Sequence, residues 1–139
     1  MPRITGSRTA ERQYRWVDSG RMKYEAIDPI SREDMAAALA RDDPDELLRA
    51  VLAVALHAEE LEWAFSICLR LASHQHFNVR GNAILGFGHL ARRFGRLDPV
   101  AQDVIEAGLG DSDPYVRGQA GDAADDAQHF LRWKITRPN

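Results

Sequence analysis

Apolar residues recur at steps of three and four over most of the chain, and the phase of that recurrence predicts helices. The clearest case is the stretch 78–94, where Val79, Ala83, Phe87, Leu90, Ala91 and Phe94 share one face of a helix about four turns long. Gly95 follows at a C-cap position. The opening of this helix, Val79-Arg80-Gly81-Asn82-Ala83, returns as Val116-Arg117-Gly118-Gln119-Ala120, 37 residues further on. A helical pattern repeated at that period marks stacked helical hairpins, in which each unit buries its apolar face against its neighbours.

The same reading places the remaining elements. Ser31-Arg32-Glu33-Asp34 has the form of a capping box, with Asp34 in the usual Glu position, and predicts a short helix ending at Ala40. Asp43-Pro44 opens a helix over 44–57, whose broad apolar face (Leu47, Leu48, Val51, Leu52, Val54, Leu56) predicts a place between other helices. A helix over 59–73 starts with Glu59, Glu60 and Glu62, acids that favour the positive end of a helix, and turns Leu61, Ala64, Phe65, Cys68, Leu71 and Ala72 inward. Asp98-Pro99 opens 98–109. Asp113-Pro114 opens the last helix, 115–132, with Val116, Ala120, Ala123, Ala124, Ala127, Phe130 and Leu131 inward. The expected fold class is all-α, about six helices in antiparallel pairs, an α-solenoid.

Residues 1–13 are polar and read as a flexible arm. Residues 14–133 read as a single helical domain, and 134–139 as a tail. Tyr14, Trp16 and Tyr24 lie in a segment too aromatic to be disordered, expected to be ordered and partly extended. Two readings fit residues 14–30: a cap closing the end of the stack, or a binding edge rich in Tyr, Trp and Arg.

Composition narrows the function classes. At 139 residues, 45% hydrophobic and 28% charged, the chain has enough apolar material for one folded domain. The formal net charge of −3 gives no overall basicity for gripping nucleic acid. The single cysteine, Cys68, falls on a predicted inner face and reads as a buried small hydrophobe in a reducing, cytoplasmic setting. No apolar run is long enough for a membrane span, and the Arg-rich N-terminus lacks the apolar stretch of a secretory signal.

Val-Arg near the start of a unit's second helix, after an Asp-Pro turn, resembles HEAT-like repeats. In those repeats the Arg commonly bonds an acidic or carbonyl group of the neighbouring unit. Arg80 and Arg117 match that position, with Arg49 a weaker third. Several longer stretches are similar to small bacterial HEAT-like immunity proteins of polymorphic-toxin and contact-dependent-inhibition systems. They are Tyr14-Arg15-Trp16-Val17-Asp18-Ser19-Gly20, Glu62-Trp63-Ala64, the whole of 79–92, and 122–131. The resemblance implies a cytoplasmic, non-enzymatic protein that forms a heterodimer with the C-terminal domain of a cognate toxin, basic and nuclease-like, and blocks it.

Charge provides an independent pointer to such a partner. From Asp98 to Leu131 there are eight acids and one Arg. Asp122, Asp125, Asp126 and His129 fall at i, i+3, i+4 and i+7, on one helix face. An acidic face of this kind fits a basic groove, and it equally fits a solvated surface or an Asp bonded to Arg80 or Arg117. Glu59, Glu62 and Trp63 form a second candidate contact surface, which equally fits a helix start beside a core Trp; Trp16 is a further aromatic candidate. Neither Asp125, Asp126 and His129 nor His74 and His76 have a further ligand at recognisable spacing, so neither metal nor other cofactor is expected. The alternatives are a generic HEAT-like interaction scaffold and, behind it, a HEAT-like DNA glycosylase. The latter needs a basic concave surface, opposite in sign to the C-terminal half. Direct nucleic-acid binding is therefore not expected.

Overall fold

The computed structural model describes residues 12–16 and 22–138. Two short strands, β1 (Arg12–Trp16) and β2 (Met22–Ala26), precede six helices: α1 (Arg32–Arg41), α2 (Pro44–His57), α3 (Leu61–Leu71), α4 (Phe77–Phe94), α5 (Val100–Leu109) and α6 (Pro114–Leu131). The body is all-α, as the periodicity predicts. The strands add an antiparallel hairpin in the register Tyr14↔Tyr24 and Trp16↔Met22. Residues 14–27 were expected only to be partly extended, and Arg12 and Gln13, read as arm, belong to β1. The rest of the arm, the segment 17–21 and Asn139 lie outside the described residues.

Helix ends follow local chemistry. Ser31 Oγ accepts from the Asp34 N–H at 3.0 Å, and Asp113 Oδ1 from the Tyr115 N–H at 2.8 Å. Asp43 caps by backbone alone, with Pro44 in the first turn. Two predicted starts come late. Glu59 is not helical and Glu60, with extended backbone, is the N-cap, so only Glu62 sits in the first turn of α3. Asp98 and Pro99 form the turn before α5, in which Asp98 Oδ1 accepts from the Val100 N–H at 2.9 Å.

α4 is the central element, packed against α2, α3, α5 and α6. Val79, Ala83, Phe87 and Leu90 are fully buried, as are Val116 and Ala120 at the repeated positions of α6. Gly88 lets α6 approach. A Cβ there would stand 3.1 Å from the Ala123 Cα and 2.7 Å from Asp126 Oδ2, closer than packed atoms allow. Cys68 is buried, and burial pushes its thiol up to about 12, so it behaves as a small hydrophobe.

The repeat is visible in its hydrogen bonds. The Arg80 guanidinium donates to the carbonyls of His74 and Gln75, and that of Arg117 to the carbonyls of Asp111 and Ser112, the same two offsets back along the chain. Each Arg thus ties down the turn before its own helix. Arg80 also chelates the Asp111 carboxylate of the next unit at 2.8 and 2.9 Å. Asn82, the one buried polar residue of the described core at 3% exposure, donates to the Leu48 carbonyl of α2 at 3.1 Å. Its counterpart Gln119 donates to Asn82 Oδ1 at 2.9 Å. In both cases the amide reaches back to the preceding unit.

The ends of the stack are covered by chain outside the helices. Ile27 is buried against Ala53 and Leu56 of α2, and its carbonyl lies 2.7 Å from His57 Nε2. This contact ties the segment before α1 to the first unit. Past α6, Trp133 and Ile135 pack on the core, Gln102 donates to the Lys134 carbonyl at 2.7 Å, and the Thr136 N–H donates to Glu106 at 2.8 Å. That N–H holds Glu106 below the usual carboxylate range. One inward assignment is corrected: Phe130 is 39% exposed, because among the described residues no helix covers the far end of α6.

Candidate functional site

The periodicity that buries Val116, Ala120, Ala123, Ala124 and Ala127 turns the rest of α6 outward. Asp122, Asp125 and His129 are exposed and Asp126 half-buried, so the structure keeps all four on the surface of one helix. They do not share one environment. Asp125 pairs with Arg137 at 2.9 Å, and Arg137 also donates to Gln128. Asp126 turns toward α4, beside Gly88, where the Arg92 charge reaches it. Desolvation raises the Asp126 carboxyl above its ordinary range against the opposing pull of Arg92, with the nearby acids Asp122 and Asp125 adding to the rise. Asp122 is likewise raised, by desolvation and then by Asp125. These are two carboxylates held close together, for which an incoming cation would relieve repulsion. His129 stands edge-on to Phe130, ring centroids 4.5 Å apart.

The cluster is thus less uncompensated than its sequence neighbourhood implies. Arg137 lies in the tail and Arg92 on the adjacent helix, beyond reach of an acid count over 98–131. No Asp of α6 bonds Arg80 or Arg117, and the acid that Arg80 holds is Asp111.

The second candidate patch lies at the start of α3. Trp63 is half-buried against the core, with the Arg32 guanidinium carbon 4.8 Å over its ring centroid. Arg32 pairs with Glu60, and exposed Glu62 lies 3.6 Å from Arg96. Glu59, Glu60, Arg32, His57 and Trp63 line an open groove of about 480 Å³. Trp63 therefore serves the core on one face and the groove on the other. Trp16, at the end of β1, pairs with Met22 through the backbone. The end of α4 and the turn after it carry Arg92, Arg93 and Arg96, whose charges reach both acidic patches. Arg92 acts on Asp126, Arg96 on Glu62, and Arg93 donates to the Ala55 and Ala58 carbonyls that end α2.

No protein-family model matches the chain, and no curated protein does. Among solved structures it is similar to a chain in the crystal structure of a CDI complex from Cupriavidus taiwanensis LMG 19424. The match has a TM-score of 0.69 at 31% sequence identity and covers 79% of this chain and 98% of that one. The present chain belongs to the same family as that CDI-complex protein.

In this member of the CDI-complex family, several site residues have no obvious sequence signal. His89 lies one turn before Arg93 on α4, and its Nδ1 is 3.1 Å from an Arg92 nitrogen, while its buried Nε2 has no partner among the described residues. Burial and then the neighbouring Arg92 and Arg93 lower its imidazole to about 4, so it is neutral at physiological pH. Phe77 and Tyr115, first-turn residues of α4 and α6, are 38% and 40% exposed and meet edge to face at 6.0 Å. The signal for Tyr115 was its place one residue before the repeated Val-Arg, but nothing in the pattern distinguishes an exposed ring there from a buried one. Among the described residues no helix is long and apolar enough to cross a membrane.

Proposed function

We propose that this chain is an immunity protein of a contact-dependent-inhibition system. It acts in the cytoplasm by forming a heterodimer with the C-terminal toxin domain of its own system and covering that domain's basic, nuclease-like active-site surface. It performs no catalytic step and binds neither membrane nor nucleic acid directly. The observation that carries the reading is membership of the family of the CDI-complex protein, whose chain is matched almost end to end. The HEAT-like repeat bonding of Arg80 and Arg117 and the outward acids of α6 support it: the first supplies a rigid scaffold, the second the sign of charge that a nucleic-acid-gripping toxin would meet.

The test is to express the toxin domain encoded beside this chain's gene, with and without the chain, and to capture partners on the full chain at low and high salt. Protection of growth, with a basic partner captured at one-to-one stoichiometry and weakened by salt, is expected. A stoichiometric partner unrelated to a toxin would replace the reading with a general interaction scaffold. Nucleic acid alone in the eluate would overturn the charge argument.

A further inference from the structure

Phe77 and Tyr115 differ from most aromatic residues of the helical body and share with Phe130 an exposure near 40%. Phe87 is fully buried and Phe65 and Phe94 pack on the core, whereas these two rings are open to solvent at neighbouring helix starts. They are nonetheless fixed. The Tyr115 hydroxyl donates to Asn82 Oδ1 at 2.5 Å and accepts from Gln119 Nε2 at 3.1 Å. Its ring lies so close over Gly81 that a Cβ there would stand 2.9 Å away. Phe77 meets its edge on one side and stacks on His76 at 5.1 Å on the other. Rings held in place before a partner arrives lose little freedom on binding, and such aromatics carry most of the energy at protein interfaces.

From Tyr115 one stripe runs along the edge of α6 beside α4, through half-buried Gln119 and exposed Asp122 to half-buried Asp126, at i, i+4, i+7 and i+11, a rise of about 16 Å. Among the described residues neither Asp122 nor Asp126 has a salt-bridge partner, while Asp125 is turned aside to Arg137. The geometry points to this ridge as the docking surface for a cationic segment of the toxin domain. Phe77 and Tyr115 take the apolar stems of its side chains, and Asp122 and Asp126 take its Lys or Arg charges. The complementary sign along the stripe selects that occupant over an apolar peptide or a second copy of this acidic chain. The inference rests on the immunity reading and deepens it by naming the surface.

Two kinds of contact on one ridge make separable kinetic demands. A buried anchor sets how fast the complex comes apart, and charges set how fast it forms. With the full chain and the toxin domain encoded beside its gene, Phe77→Ala is expected to raise the dissociation rate roughly tenfold with little change in association. Asp122→Asn with Asp126→Asn is expected to slow association roughly tenfold at low salt and flatten its salt dependence. Asp125→Asn lies off the ridge and should stay within about threefold of the native chain. Melting curves accompany each variant, and Phe77→Ala, at an exposed first-turn position, should melt as the native chain does. Native-like kinetics for both Phe77→Ala and the Asp122/Asp126 double variant would remove the ridge while leaving the immunity reading intact. A native chain that neither protects against nor binds the toxin domain overturns both. A change confined to Asp125→Asn would move the interface to the tail side of α6.

Discussion

α4 and α6 begin with the same five-residue pattern and end up in opposite circumstances. Val79 and Val116, and Ala83 and Ala120, are all fully buried, and Arg80 and Arg117 make the same pair of carbonyl bonds. Beyond that the helices diverge position by position. Gly81 is covered by Tyr115, whereas among the described residues nothing lies within 4 Å of a Cβ at Gly118. Gly88 lies under α6, and its counterpart Asp125 faces solvent and Arg137. His89 is pressed into the structure, and its counterpart Asp126 stands at the edge of the surface. The difference is position in the stack. A central helix has neighbours on both sides and must be small or apolar on both, while α6, with no further helix on its far side among the described residues, is free there to carry charge. In a solenoid the end unit is therefore where recognition chemistry is cheapest to place.

The largest expected effect tests the shared half of the comparison. Phe87→Ala, in the core of α4 with its ring 5.3 Å from Phe65, should cost about 3–5 kcal/mol in denaturant unfolding. A loss under about 1 kcal/mol would mean α4 is not the central helix.

The His89 and Asp126 positions should respond to acid with opposite sign. His89 is lowered in the folded chain, so its contribution is present above the unfolded value near 6.5 and is lost as pH falls toward about 4. At full extent that is about 3 kcal/mol. Asp126 is raised, so its protonation on the same descent favours the folded state. Stability measured from pH 7 to pH 4 should therefore fall less steeply in His89→Leu than in the native chain and more steeply in Asp126→Asn. Parallel curves for all three would show that the two positions do not differ.

Arg80 is half-buried and chelates the next unit's carboxylate, whereas Arg117 is exposed. Arg80→Met strands the half-buried Asp111 and should cost about 2–3 kcal/mol, against under about 1 kcal/mol for exposed Arg117→Met. Arg80 also holds Asp111 below the usual carboxylate range, so the gap should close as the pH falls through and below that range. The smallest pair has opposite signs. Gly88→Ala should destabilise by about 1–2 kcal/mol through the contact with the Ala123 backbone, while Gly118→Ala should stabilise by about 0.5–1 kcal/mol through helix propensity. Equal effects at the two glycines would mean that α6 is covered as α4 is.

Much of this fold was legible because solenoids write local rules repeatedly. A buried face of period 3.6, an Asp-Pro start and a recurrent Val-Arg each follow from short-range geometry. They placed six helices and the Cys68 side of α3. What proved harder depends on neighbours distant in sequence. The strands 12–16 and 22–26 lack the β-branched residues that make an extended segment easy to recognise. Phe130 looked inward because its phase is right, and only the lack of a following helix among the described residues exposes it. The acids of α6 looked uncompensated because Arg92 and Arg137 reach them across the fold and from the tail.

The sequence by itself determined the helical class, the repeat, the buried stripe of each helix and the sign of charge on the last one, since these follow from residue order over a few turns. The tertiary structure alone decided which acids of α6 lack a salt bridge among the described residues, that His89 Nε2 is buried with no partner among them, and that Phe77 and Tyr115 meet at the surface. Those properties depend on how α2, α4 and α6 lie side by side, and a side chain's partners across a helix interface are set by packing rather than by its neighbours in the chain.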